Sequence, residues 1–199
     1  MSLSPVKTVV KSFRVVISKA FEYFTGGFSV SNTTHDKVIL PEGSLVRVDE
    51  SARTTSLVKT GRLTQKAPSN VKFYVSNTPY QPLFEVGDVV NIGQNTASAG
   101  GTAITSIVAS GEVDVITIAT AIASQGTANR VMFEVTSSGS SAANLAPKTV
   151  ANAIVAHDTK IGGSLTALRR GTVYKNRLQP NLAAHLADLP STIQLSDSK

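Results

Sequence analysis

The sequence predicts a mainly β fold: a small β barrel or sandwich carrying an inserted β module, with an N-terminal amphipathic helix or arm. Three observations predict it. Strand-like runs recur every ~8–14 residues, most of them introduced by a glycine turn. Charged residues make up only 16% of the 199-residue chain, well under the usual quarter, and Gly, Ser, Thr, Asn and Ala fill the gap. Two turn-plus-strand stretches lie far apart, Leu40-Pro41-Glu42-Gly43-Ser44-Leu45-Val46-Arg47-Val48-Asp49 and residues 168–178, and they look like two halves of one small domain.

Residues 6–24 open the chain with the cleanest periodicity. Val6, Val9, Val10, Phe13, Val16, Ile17, Ala20, Phe21 and Phe24 fall on one helical face, with Lys7, Lys11, Arg14, Ser18 and Glu22 opposite. By angle this is an amphipathic helix, although its Val and Ile content and the alternation over residues 7–17 also fit a strand. Gly26-Gly27 ends the segment. A polar loop, residues 31–36, leads to Val38-Ile39-Leu40. Pro41-Glu42-Gly43-Ser44 is then a turn, in which Pro presets one backbone angle and Gly permits positive φ. Leu45 to Asp49 alternate as a half-buried strand, and residues 54–63 read as its partner.

Residues 70–92 read as two short strands around Thr78-Pro79-Tyr80-Gln81-Pro82. Phe84-Glu85-Val86-Gly87-Asp88-Val89-Val90-Asn91 is a tight Gly-Asp turn opening into a strand. Further strands are expected at 103–108, 113–119 and 131–135, with a loop at 95–101. Residues 137–142 are a Ser/Gly-rich linker. Residues 149–156 are apolar and fit strand or short helix. Residues 169–178 are a strand broken by Gln179-Pro180. Residues 182–189 form a short helix pattern stopped by Pro190, and residues 191–199 a flexible tail. The expected organisation is therefore an arm or helix at 1–36, a discontinuous β domain from 37–66 plus 143–190, and an inserted β module at 67–136.

Composition excludes several classes. No cysteine is present, so there is no disulfide framework and no thiolate metal site. No apolar run approaches the roughly 18 residues that span a bilayer, and the N-terminus lacks the apolar core of a signal peptide, so use without secretion is expected. Net charge is +6 and unevenly spread. Residues 1–66 carry ten Lys/Arg against five acids, residues 67–142 two against five, and residues 143–199 seven against three. Basic ends and a mildly acidic middle fit a domain built from both ends, facing an acidic protein lattice, a nucleic acid or an anionic membrane.

No chemistry-bearing motif stands out. Gly162-Gly163-Ser164 and Gly100-Gly101-Thr102 lack phosphate-loop spacing and read as turns. The pairs His35-Asp36 and His157-Asp158 need a third group nearby to act, and read as loop residues. His185 reads as a surface or interface histidine. Glu42 and Asp49 sit at solvent-facing positions unsuited to paired acid–base work. No enzyme signature, cofactor site or metal site is expected. The basic residues Arg169, Lys175 and Arg177 share one strand face by alternation, with Arg170 on the other. Among stacking aromatics only Tyr174 is near, so nucleic-acid readout is not expected. The N-terminal helix has three possible partners: an anionic membrane through its lysines and arginines, its own domain, or a neighbouring subunit.

These residues resemble the head decoration, or head fiber, proteins of tailed bacteriophages. The likeness runs over most of the chain. It is carried by Tyr23-Phe24-Thr25-Gly26, by residues 40–48, by Phe84 to Val90, by Asp114-Val115-Ile116-Thr117-Ile118-Ala119-Thr120 and by residues 168–178. Each is a turn plus a strand, and their order and spacing carry the specificity. The resemblance implies a β-tulip-like decoration domain on the outer surface of the capsid. It implies binding to the major capsid protein as a homotrimer that stabilises the shell, with no catalytic residues, no nucleic acid and no membrane. The expected capsid or subunit contacts are Lys7, Lys11, Phe13, Arg14, Ile17, Phe21, Arg169, Lys175 and Arg177. The alternatives are a virion receptor- or glycan-binding module, with Tyr74 and Tyr80 its aromatic candidates, and a minor head–tail structural protein.

Overall fold

The computed structural model describes residues 16–24, 27–30, 34–35, 38–65, 71–93, 100–122, 128–139 and 146–197. Among the described residues there are strands and short 3-10 turns but no α-helix. The first eight strands are β1 (Ile17–Tyr23), β2 (Phe28–Val30), β3 (Ile39–Leu40), β4 (Leu45–Asp49), β5 (Thr54–Leu57), β6 (Thr60–Arg62), β7 (Lys72–Ser76) and β8 (Val89–Gly93). The rest are β9 (Thr102–Ser110), β10 (Val113–Ile118), β11 (Val131–Glu134), β12 (Ala153–Val155), β13 (Thr159–Lys160), β14 (Ser164–Leu165), β15 (Ala167–Tyr174) and β16 (Ile193–Ser196).

One sheet takes its strands from both ends of the chain, in the order β1-β15-β12-β4-β5-β2-β14, with β16 parallel to β15. Its central strands bury both faces. Val46, Val48, Ala153, Val155 and Ala167 pack on one cluster with Phe28 and Leu165. Leu45, Ile154, Leu168 and Val173 pack on another with Val16 and Leu178. A strand buried on both sides reads as a continuous apolar run rather than an alternation. That is why residues 149–156 fit strand and helix equally well by sequence.

The other sheet is built from a single stretch, in the order β6-β11-β8-β9-β10-β7. A bridge between Leu63 and Val75 brings its two end strands together, and the Thr64 N–H donates to the Tyr74 carbonyl at 3.0 Å. The sheet therefore curls around its own core of Phe73, Val75, Val90, Ile92, Ile104, Ile116 and Met132. β3 and β13 form a separate short pair.

The expected turns form. In the Pro41–Ser44 turn the Ser44 N–H donates to the Pro41 carbonyl at 3.1 Å, and Gly43 takes φ +86°. In the Glu85–Asp88 turn the Asp88 N–H donates to Glu85 O at 3.1 Å, and Gly87 takes φ +99°.

Several expectations are corrected. The helix over 6–24 is, in its described part, the strand β1, paired antiparallel with β15 from Ile17–Val173 to Tyr23–Leu168. β-branched and aromatic residues suit a strand, and a long partner strand supplies hydrogen bonds that a helix would otherwise make within itself. The described part of the expected arm is thus sheet, since β2 also lies inside the sheet between β5 and β14. The expected partner strand at 54–63 is two strands. β5 pairs with β4, and the chain then crosses at Val58-Lys59 to β6 in the second sheet. The strand expected over 169–178 ends at Tyr174, and Lys175–Arg177 is a 3-10 turn. The helix at 182–189 shrinks to a 3-10 turn, Ala183–Leu186. The expected flexible tail holds β16, whose Ile193 is buried. The 137–142 linker is described only to Gly139, which bridges Gly101.

Candidate interaction surface

β1 is the end strand of its sheet, and among the described residues it has a neighbour on one side only. Its first residues are anchored. The Glu42 carboxylate accepts the Val16 N–H at 3.1 Å and the Ile17 N–H at 2.7 Å. Val16 is 1% exposed and packs in the core with Ile17 against it. From Ser18 to Tyr23 every residue of β1 is exposed. The strand therefore stands proud of the fold it is tied to.

The side chains that meet there are aromatic and basic. Phe21 is 57% exposed, and the Lys19 Nζ lies 4.7 Å from its ring centroid. The Arg170 guanidinium lies 5.6 Å from the same ring. Arg169 lies 5.7 Å from the Phe24 ring and 3.7 Å from the Glu22 carboxylate. Arg177 covers the Tyr174 ring at 5.0 Å. Tyr23 tilts against His157 with ring centroids 5.8 Å apart. Exposed cation–π pairs of this kind are worth about 0.5–1 kcal/mol each. They hold the cationic heads over the rings without removing them from water.

Of the nine contact residues expected from sequence, Lys7, Lys11, Phe13 and Arg14 lie outside the described residues. Ile17 is half-buried and packs inward. Phe21 is on the surface, as are Arg169 and Lys175, while Arg177 is half-buried over Tyr174. Arg169, Lys175 and Arg177 do not share a strand face, because β15 ends at Tyr174. The expected contacts leave out Lys19, which the sequence offers only as a membrane-binding cation, and Arg170, which it places on the other strand face, yet these two flank Phe21. The signal that finds them is the strand period of β1 combined with the Glu22–Arg170 register across β15.

Other polar candidates serve the fold. Tyr80 is buried, and its hydroxyl lies 2.9 Å from Glu42 O and 2.6 Å from Arg177 O, so it is not an exposed stacking ring. The His35 Nε2 lies 3.1 Å from Leu83 O. The Asp158 carboxylate accepts the Glu42 N–H at 2.9 Å. The Asp49 carboxylate accepts the Ala52 N–H, the Ser51 hydroxyl and the Ser51 N–H, and these bonds hold it below the usual aspartate range. His185 corrects the surface reading. It is 1% exposed, its Nδ1 accepts the Leu182 N–H at 2.9 Å, and Phe133 meets it edge-on at 5.4 Å. Desolvation pushes its pKa down to about 4.

The junction between the sheets is also polar. Lys59 Nζ lies 2.8 Å from Asp88 and 3.2 Å from Glu85. Burial disfavours its charge, but the Asp88 and Glu85 carboxylates and the field of Glu134 outweigh that and raise its pKa. Glu134, 7% exposed, pairs with Lys148 at 2.6 Å. Gln179, which sequence reasoning treated only as a strand breaker, is a buried tie. Its carbonyl accepts the Leu45 N–H at 2.9 Å, and its amide donates to Val58 O at 2.6 Å and to Thr60 Oγ1 at 2.8 Å.

Among the described residues no three His, Cys, Asp or Glu side chains converge as metal ligands. A cleft of about 250 Å³ is lined by Arg62, Thr78, Pro79, Tyr80, Asn176 and Pro180, among others. The arrangement at β1 can attract acidic groups and cover apolar ones. Comparison with known proteins gives no match to a family model, a curated protein or a solved structure.

Proposed function

We propose that the chain is a structural virion protein that binds the outside of a tailed-phage capsid and cements neighbouring major capsid subunits, acting as a homotrimer. One observation carries the reading: an anchored end strand that leaves six consecutive residues exposed, with Phe21 set between Lys19 and Arg170. An exposed end strand is a liability unless a partner covers it or charge guards it. Among the described residues the charges around Phe21 are positive except for Glu22, and the Glu42 carboxylate at the strand's start is taken up by backbone N–H groups, which fits an acidic partner surface. Many weak contacts repeated over a lattice sum to large avidity. The likeness of the turn-plus-strand order to head decoration proteins supports the same role, and that role calls for a surface rather than reactive groups.

The test is mass per particle together with cryo-imaging of purified virions. Many copies at three-fold positions outside the shell are expected. Copies confined to one vertex, or absence from the virion, would overturn the proposal.

A further inference from the structure

We infer that β1 and the β15 face beside it take an acidic, extended segment of the lattice subunit, laid along the β1 edge. The inference rests on the capsid reading and names the partner's chemistry.

Three features select this occupant. The first is the edge itself. β1 has seven residues, pairs on one side with β15, and is tied at its start by Glu42. A held strand whose other side meets no strand among the described residues is a template for an added strand, whose main-chain bonds supply affinity while alternate side chains supply choice. The second is charge. Among the described residues Lys19, Arg169 and Arg170 lie around the exposed part of the strand with Glu22 among them, while the Glu42 carboxylate at its start is engaged by backbone N–H groups, so carboxylates at alternate positions of an incoming segment meet cations. The third is Phe21, an exposed ring between two of those cations. It gives an apolar side chain of the segment a place to pack.

Nucleic acid fits less well. Glu22 lies opposite Arg170 in the register and 3.7 Å from Arg169, so a phosphate chain following the cations would pass a carboxylate. A peptide can place an apolar or basic residue there.

The experiment uses the full chain. Its binding to a labelled peptide of alternating Glu and Val is measured beside binding to an oligo-dT of equal charge. The peptide is expected to bind, and more weakly as salt shortens the Debye length. Lys19→Glu/Arg170→Glu is expected to weaken it at least about tenfold, since reversed charges at a contact repel. Phe21→Ala should weaken it less, and Arg62→Glu, on the second sheet, should leave it unchanged. Urea midpoints of the variants check that each still folds.

Tighter binding of the oligonucleotide, or equal peptide binding by the double variant, overturns the inference. So does a wild-type oligomer that the double variant abolishes, since a second copy is then the occupant. Particle binding separates the two readings. If particles carry wild type and double variant equally, this interface falls and the capsid reading stands. If no particle carries the wild type, the capsid reading falls, and the lattice subunit falls with it as source of the segment.

Discussion

Gln179→Leu keeps most of the side-chain volume and removes all three hydrogen bonds by which Gln179 joins β4, the sheet crossing and the C-terminal segment. The groups it leaves are dry: Leu45 is 1% exposed, Val58 2% and Thr60 0%. Thr60 keeps a partner, because its hydroxyl also donates to Pro180 O at 2.5 Å. The Leu45 N–H and the Val58 carbonyl each lose the bond to Gln179. A buried backbone group left without its partner costs about 1–3 kcal/mol, so the substitution should cost roughly 2–6 kcal/mol. That is a large share of the ~5–15 kcal/mol that holds a domain together. Urea denaturation should show a lower midpoint at unchanged slope. Gln179→Glu places an acceptor opposite the Val58 carbonyl. Its deficit should narrow as pH falls and protonation restores a donor. Thr60→Val should be non-additive with Gln179→Leu, because the two share a bond. A Gln179→Leu protein within about 1 kcal/mol of the parent would refute the reasoning.

The remaining predictions concern the core, the crossing and the turn. His185 is held neutral at a pKa of about 4, below its unfolded value. The unfolded chain therefore binds the extra proton first, and stability should fall as pH drops from about 6.5 towards 4, by up to about 3 kcal/mol. His185→Asn, which retains an acceptor for the Leu182 N–H, should flatten that slope in pH-dependent melts. Lys59→Met leaves Asp88 and Glu85 facing each other in a half-buried site and should cost about 1–3 kcal/mol in urea, most of it recovered by adding Asp88→Asn. Gly43→Ala forces positive φ on alanine and sets a Cβ 2.5 Å from the Tyr80 hydroxyl and 2.6 Å from Val16 Cγ1. A loss above about 2 kcal/mol is expected, and the soluble yield should fall with it. Among the described residues the Thr55 hydroxyl is buried without a hydrogen-bond partner, so Thr55→Val should leave the melting temperature unchanged or raised.

The amino-acid order by itself determined the strands whose two faces differ and the turns that need glycine. Arg47 and Asp49 alternate with Val46 and Val48 because that face is wet beyond the buried Leu45, and the Pro41–Ser44 and Glu85–Asp88 turns declare themselves through residues with few backbone options. It also indicated that the chain is mainly β, through turn density and low charge. Where a segment's environment comes from residues far along the chain, the pattern misled. Residues 17–23 look helical by angle because Val16, Ile17, Phe21 and Phe24 fall on one face. Only the pairing with β15, some 150 residues away, turns Phe21 outward to meet Lys19 and Arg170. The Ile193 strand looked like a polar tail until a parallel partner took up its backbone. His185 and Gln179 looked like ordinary polar residues of a loop and a short helix. The tertiary structure decided that both are buried, because the pieces that cover and bond them, Phe133, Leu45, Val58 and Thr60, arrive from elsewhere in the chain. Short-range preference is written in neighbouring residues. Burial and pairing are set by distant ones, and no local pattern records them.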